Sequence, residues 1–283
     1  MADLDLDPSS SRMRPPAEAS DRFDRSGGAP RDRDRRDRGR SAGFPLSWRD
    51  LGLAVLYLFG VIAAGSLIGK VLVDWTAPNA VTDYDLRLAR ELVADRTSQL
   101  NDAAMIGSLL SSTVVKIIAT LIIAAVMAVL WRRWHEPVFV IGTLLFEAGA
   151  FVAITHIVLR PRPPVEQLEG SSIGSSFPSG HVAAATVYAV VAMVVFWHTR
   201  STVIRFVSAA VAVALPLIVG AARLYQGMHH LSDVVAGIVL GIVSILICQW
   251  ILPPPGDALP YRLGSRRSVD TPAVSSPRRE VTL

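Results

Sequence analysis

The chain has a single cysteine, Cys248, among 283 residues, which excludes an internal disulfide and any Cys-x-x-Cys metal or redox motif. Lysine is almost absent too: of 28 basic residues only Lys70 and Lys116 are lysine, and the rest are arginine. Charge is scarce overall, at 18% of residues against about a quarter in soluble domains. The opening residues MADLDLDPSS are acidic and polar rather than a basic stretch followed by an apolar one. No cleavable leader is expected, and targeting falls to the apolar segments themselves. Those segments are what the chain does have: 51% of residues are hydrophobic and the mean hydropathy is +0.40.

Residues 1–45 hold Asp, Arg, Ser, Gly and Pro, with RDRDRRDRGR at 31–40. Such a composition cannot offset its ordering entropy, so a disordered tail is predicted. The arginine run invites attachment to anionic headgroups, but three aspartates interrupt its six arginines, and a solvated tail is the better reading. Residues 253–283, opening PPPGD, read as a second disordered tail. Between the tails, residues 46–252 form one membrane domain with six apolar stretches, each near the about 20 residues that span a bilayer: 51–73, 105–131, 137–159, 181–197, 203–222 and 231–252. The fold class is all-α, an integral-membrane six-helix bundle. An amphipathic interfacial helix is predicted across 84–100. Trp48, Trp75, Trp131, Trp134, Trp197 and Trp250 fall near span ends, as aromatic belts do.

Six spans put both termini on one side. The turns at Arg132/Arg133 and Arg200/Arg205 carry four bases against the single acid Glu136, whereas the loops at the other side carry six arginines against nine acids. The tails are therefore expected in the cytoplasm and the loops around 74–104, 160–180 and 223–230 outside it. Lys116 lies inside the second span, and an ion pair with Glu147 of the third span is expected at similar depth. Lys70 is close enough to a helix end to snorkel.

Two of the outward segments are richer in Arg, His and Asp than topology needs. In THIVLRPRPP (155–164), Arg160 and Arg162 end the third span among helix-stopping prolines; their guanidinium forks suit phosphate oxygens or, more blandly, anchor a helix end to headgroups. In PSGH (178–181), Ser179 is a plausible N-cap and Gly180 permits close backbone approach. The first helical turn there offers unpaired N–H groups to an anion. His181 can donate a proton to a leaving oxygen, although alone it reads equally as an interfacial histidine. In ARLYQGMHHLSD (222–233), Arg223, His229 and Asp233 form R-x5-H-x3-D. His229 and Asp233 are i and i+4 on one helix face, so the carboxylate can hold Nδ1–H and leave Nε2 as a nucleophile. His230, three residues before Asp233, competes, and spacing alone does not choose between the histidines.

Taken together and in this order, RP, PSGH and R-x5-H-x3-D resemble the signature of the type-2 phosphatidic acid phosphatase superfamily, which includes bacterial acid phosphatases and vanadium haloperoxidases. The resemblance covers roughly residues 50–252. It implies His229 as the nucleophile that becomes transiently phosphorylated and Asp233 as the group that orients it. It implies His181 as general acid and then base, and Arg162, Ser179, Gly180 and Arg223 as holders of the phosphoryl oxygens; it also selects His229 over His230. Two positions depart from the family pattern: Thr155 stands where the family has lysine and Ala222 where it has serine. Seven residues are nearly two helical turns, so Thr155 is expected on the helix face of Arg162. The missing cation implies lower activity or compensation by Arg160, His156 or Lys116.

The implied activity is metal- and cofactor-independent removal of phosphate from a lipid phosphate or diphosphate at the extracytoplasmic face, with undecaprenyl pyrophosphate as the leading substrate. Phosphatidylglycerophosphate and phosphatidic acid are alternatives, as are a lipid-to-lipid phosphotransferase and a noncatalytic lipid-phosphate binder or transporter. The partners implied are the lipid substrate and the bilayer, with no nucleic acid. A zinc site built from His181, His229 and Asp233 is disfavoured by the adjacent arginines.

Overall fold

The computed structural model describes residues 44–74, 80–170 and 174–256. Both expected tails, apart from a few residues next to the bundle, lie outside them, as does Trp75. The described residues are all helix and loop: α1 (Trp48–Asp74), α2 (Ala80–Ala94), α3 (Ser98–Leu109), α4 (Thr113–Trp131), α5 (His135–Val158), α6 (Gly180–Val187), α7 (Ala189–His198), α8 (Thr202–Tyr225) and α9 (Leu231–Ile251). Six segments are long and apolar enough to cross a membrane: α1, α4, α5, α6 with α7, α8 and α9.

Local chemistry sets most boundaries. The Ser47 hydroxyl accepts the Asp50 N–H at 3.3 Å while the Asp50 carboxylate accepts the Ser47 N–H at 2.8 Å, a reciprocal cap that opens α1. The Thr97 and Ser201 hydroxyls accept the Leu100 and Ile204 N–H groups at the starts of α3 and α8. The run expected at 105–131 breaks around Leu110–Ser112, between α3 and α4. Serines cluster there, and the Ser108 hydroxyl donates back to the Met105 carbonyl at 3.0 Å, a local bond of the kind that competes with helix continuation. The interfacial helix expected at 84–100 instead ends at Ala94. Arg96 turns the corner by donating to the carbonyls of Tyr225 and Glu166 at 3.0 and 2.9 Å.

α5 lies at the centre, touching α1, α4, α6, α7 and α9, while α9 packs most intimately on α6. Gly237 and Gly241 permit that approach: a Cβ at Gly237 would lie 2.6 Å from the Ser179 carbonyl oxygen, and one at Gly241 would lie 2.5 Å from Thr186 Cβ. Small residues replace hydrophobic driving force in helix association within lipid. At the end of the bundle opposite α6's start, buried Glu136 binds Arg133 and His198, and Trp131 stacks on His198 at 4.2 Å. Trp197 is buried against Phe139 and His135. It is a core residue rather than part of an aromatic belt, because it faces α5 instead of lipid. The expected Lys116–Glu147 contact pair does not form: among the described residues neither Glu147 oxygen has a hydrogen-bond partner, and no ion pair joins it to Lys116, although the lysine's charge still acts on it at longer range.

Candidate active site

α5 stops at Val158 because Leu159 turns left-handed, with φ 53° and ψ 39°, and the Arg-Pro-Arg-Pro-Pro that follows cannot resume a helix. Thr155 and Arg162 therefore share no helix face, contrary to expectation. Instead the buried Thr155 hydroxyl donates to the Phe177 carbonyl at 3.1 Å, tying α5 to the stretch that leads into α6. That stretch doubles back on itself: Ser176 N–H donates to the Arg160 carbonyl at 2.8 Å, and the Ser176 hydroxyl donates to the Pro161 carbonyl at 3.1 Å. His156 is exposed and donates to the Val152 carbonyl of its own helix, so it does not replace the missing lysine.

Ser179 is the residue before α6 and is fully buried, yet its hydroxyl makes no cap bond and has no partner among the described residues. Its N–H donates to the Asp233 carbonyl at 3.0 Å, which locks the start of α6 to α9. Gly180 is demanded by packing, since a Cβ there would lie 2.6 Å from the Phe151 ring. His181 follows in the first turn, partly exposed, where the charges of Arg223, His229, Lys116 and Arg162 act on it.

Between α8 and α9 the chain turns at Gly227, whose φ of 73° suits glycine. A Cβ there would also lie 2.8 Å from the Glu166 carbonyl oxygen. The turn presents His229, with Nδ1 2.8 Å from the Ser176 carbonyl oxygen and 3.8 Å from Asp233 Oδ2. A carbonyl can only accept, so Nδ1 carries the hydrogen and Nε2 is the unprotonated nitrogen. The expected tautomer is thus held by a backbone oxygen, with Asp233 one step further out. Burial holds the His229 imidazole below the usual histidine range; Asp233 pulls it up, and Arg223 and Arg162 push it down again. Burial thus favours the neutral form of the ring. His230 points elsewhere: its Nε2 is 3.3 Å from the Pro161 carbonyl oxygen, and its N–H donates to Asp233 Oδ2 at 2.8 Å.

The three arginines separate. Arg162 donates to the Met228 carbonyl beside His229, within the fields of Arg223, Asp233 and Glu169. Arg223 is buried; it donates from one nitrogen to Glu169 and to Gln226 Oε1, while its Nε has no partner among the described residues. Arg160 turns away, donating to Asp233 Oδ1 at 2.5 Å, to the Ser232 hydroxyl at 2.7 Å and to Asp85 Oδ2 at 3.1 Å. It is an internal counter-ion of Asp233, and its donors are spent there rather than on an incoming anion. Sequence reasoning missed Asp85, buried on α2, which also accepts the Ser232 N–H and hydroxyl; its signal was an acid sharing the buried face of an otherwise exposed helix with Ala89. It also missed Gln226, whose Nε2 donates to the Ala104 carbonyl and Ser108 hydroxyl of α3 at 3.2 and 3.1 Å. The arrangement can hold an anion between the buried Arg223 guanidinium, the half-buried Arg162 and a helix start, beside an unprotonated histidine nitrogen.

Residues 136–255 match the family described as "PAP2 superfamily". The chain is 26% identical to phosphatidylglycerophosphatase B of Bacillus subtilis (strain 168) over 202 residues, covering 69% of this chain and 91% of that protein. It is 28% identical to the bacitracin transport permease protein BcrC of Bacillus licheniformis over 118 residues, 41% of this chain and about half (52%) of the length of that relative. The crystal structure of a transmembrane PAP2-type phosphatidylglycerolphosphate phosphatase from Bacillus subtilis superposes with a TM-score of 0.56 at 22% identity, covering 72% of this chain and 96% of that one. This likeness is one of fold, a membrane-spanning helical bundle.

Proposed function

Because residues 136–255 match the PAP2 superfamily, we propose that this multi-pass membrane protein is a lipid phosphatase working through a phosphohistidine. The observation that carries the reading is the Ser176 carbonyl 2.8 Å from His229 Nδ1, which leaves Nε2 as the nucleophile in a buried setting beside two arginines. Nε2 attacks phosphorus, the bond from phosphorus to the lipid oxygen breaks, and His181 donates its proton to that oxygen. Water then attacks the phosphohistidine, giving its proton to His181, and free phosphate leaves with His229 regenerated. Asp233 steadies the imidazole as charge develops. Arg162, Arg223, the Ser179 hydroxyl and the N–H groups from Gly180 onward hold the phosphoryl oxygens. Residues 46–252 are the working domain; the active site faces away from the cytoplasm and both termini lie within it.

For the substrate, phosphatidylglycerophosphate is supported by the name of the relative that this chain matches over 91% of its length. A second reading is an isoprenoid diphosphate such as undecaprenyl pyrophosphate; either lipid's tail has room in an apolar groove of about 890 Å³ between α1, α2, α5 and α9 that ends on Pro178 and Ser232. The groove suits a long hydrocarbon chain. The test is phosphate release by the purified protein, in excess chelator, from a panel of lipid mono- and diphosphates. His229→Ala should reduce it by about 10³-fold or more. Wild-type release no greater than the variant's on every substrate would refute the proposal, and labelled phosphate appearing on a lipid acceptor would make the protein a phosphotransferase.

A further inference from the structure

The buried Arg223 guanidinium is held by two groups of different character. Gln226 is clamped from behind by Ala104 and Ser108, and its amide oxygen is a fixed neutral acceptor. Glu169 is a carboxylate reaching in from the connection between α5 and α6, and it hydrogen-bonds to nothing else among the described residues. Its side chain is 49% exposed while that of Arg223 is 3% exposed. One partner is therefore immovable without unpacking α3, and the other can swing into water once another anion takes its place on Arg223.

A carboxylate oxygen on a guanidinium N–H occupies the place a phosphoryl oxygen would take, since both anions use the same planar donors. Without substrate, Glu169 keeps a buried positive charge compensated, which an unpaired arginine at this depth would otherwise lack. An arriving phosphate carries more charge and more acceptor oxygens than one carboxylate. It also engages Arg162, in whose field Glu169 already lies. Once displaced, Glu169 regains water but stays on the connection beside Arg223, so a second phosphate joined to the one Arg223 holds lies within its field. A second phosphate there meets a like charge. A neutral hydroxyl-bearing headgroup meets a hydrogen-bond acceptor.

We infer that Glu169 sets the substrate class of this site: it competes with phosphate for Arg223 and, once displaced, favours lipid monophosphates with hydroxylated headgroups over lipid diphosphates. The inference rests on the assignment of Arg223 to phosphate in the proposed function. It is tested by steady-state kinetics of purified full-length wild type and Glu169→Gln in mixed micelles, with phosphatidylglycerophosphate and undecaprenyl pyrophosphate as substrates and inorganic phosphate as competitive inhibitor. Glu169→Gln should lower KM for the diphosphate by about three- to tenfold more than for the monophosphate, as expected for removing one partly screened charge. It should tighten inhibition by inorganic phosphate and leave kcat on the monophosphate within about twofold. Glu169→Asp, which keeps the charge on a shorter arm, should retain the wild-type ratio between the substrates. If Glu169→Gln leaves both the ratio and the phosphate inhibition unchanged while His229→Ala is inactive, the inference is wrong and the phosphatase assignment stands; if wild type and His229→Ala release phosphate equally, the assignment itself falls.

Discussion

At the scale of single residues, what the sequence made legible was identity, and what it hid was direction. Arg160 and Arg162 are two residues apart with the same chemistry, and only the left-handed turn at Leu159 with the prolines around it sends one to Asp85 and Asp233 and the other to the turn of His229. Periodicity arguments end where the helix ends. The two histidines were separable by motif count but not by physics until the ring contacts were known: Ser176 takes His229, and Pro161 takes His230. Thr155 makes the same point. Its hydroxyl serves the Phe177 carbonyl from a site that is 2% exposed, so the position at which the resembled family pattern has lysine is used here to hold the connection into α6. Thr155→Lys must bury an ammonium and abandon that bond, which costs more than the charge returns. Phosphate release should fall about 100-fold in Thr155→Lys and stay near wild type in Thr155→Ser. Retained or raised activity in the lysine variant would mean that the site accepts a cation at this position after all.

At the scale of elements, apolar length located the spans, but polar interruptions set their true ends. α3 reads as part of a long span, yet residues 110–112 separate it from α4, and it becomes the platform that fixes Gln226. α2 reads as a surface helix and largely is one, except that Asp85 turns inward. Because Arg160 is shared by Asp85 and Asp233, α2 is coupled to the carboxylate that lies 3.8 Å from His229 Nδ1. In the proposed mechanism Asp85 is a positioning residue, joined to His229 through Arg160 and Asp233. Asp85→Asn lets Arg160 lean wholly on Asp233 and weakens the anchor of Ser232 at the start of α9. The expected result is a kcat about tenfold lower with KM changed less than twofold, because Arg162 and Arg223, the arginines proposed to hold phosphate, are untouched; Asp85→Glu should recover part of the loss. A matched rise in KM, or no recovery with glutamate, would reduce Asp85 to a packing role. The small residues of α9 carry a constraint of another kind: any side chain at Gly241 must push α6 away from α9.

At the scale of the whole molecule, the number of spans and the clustering of the three motifs at one end of the bundle were legible, because both follow from alternation of apolar runs with short loops. Trp197 was misassigned for the converse reason: nearness to a span end says nothing about which way a helix face looks. Charge distribution carries the remaining question, the orientation. The end bearing Arg162, His181 and His229 has loops with more acids than bases, and the opposite turns are basic, which supports the outward orientation proposed for the site. Glu169 and Glu166 contribute to that acidic excess while contacting Arg223 and Arg96, so the same loop both satisfies the topology and faces the site's arginines. With Cys248 replaced by alanine, Gln167→Cys and Gly256→Cys place single thiols at exposed positions on opposite ends of the bundle. On intact cells an impermeant maleimide should label the cysteine at 167 and leave the one at 256 untouched until lysis. Labelling of 256 alone would invert the protein, put the acidic loops in the cytoplasm against the basic-side rule, and require a substrate presented from the inner leaflet.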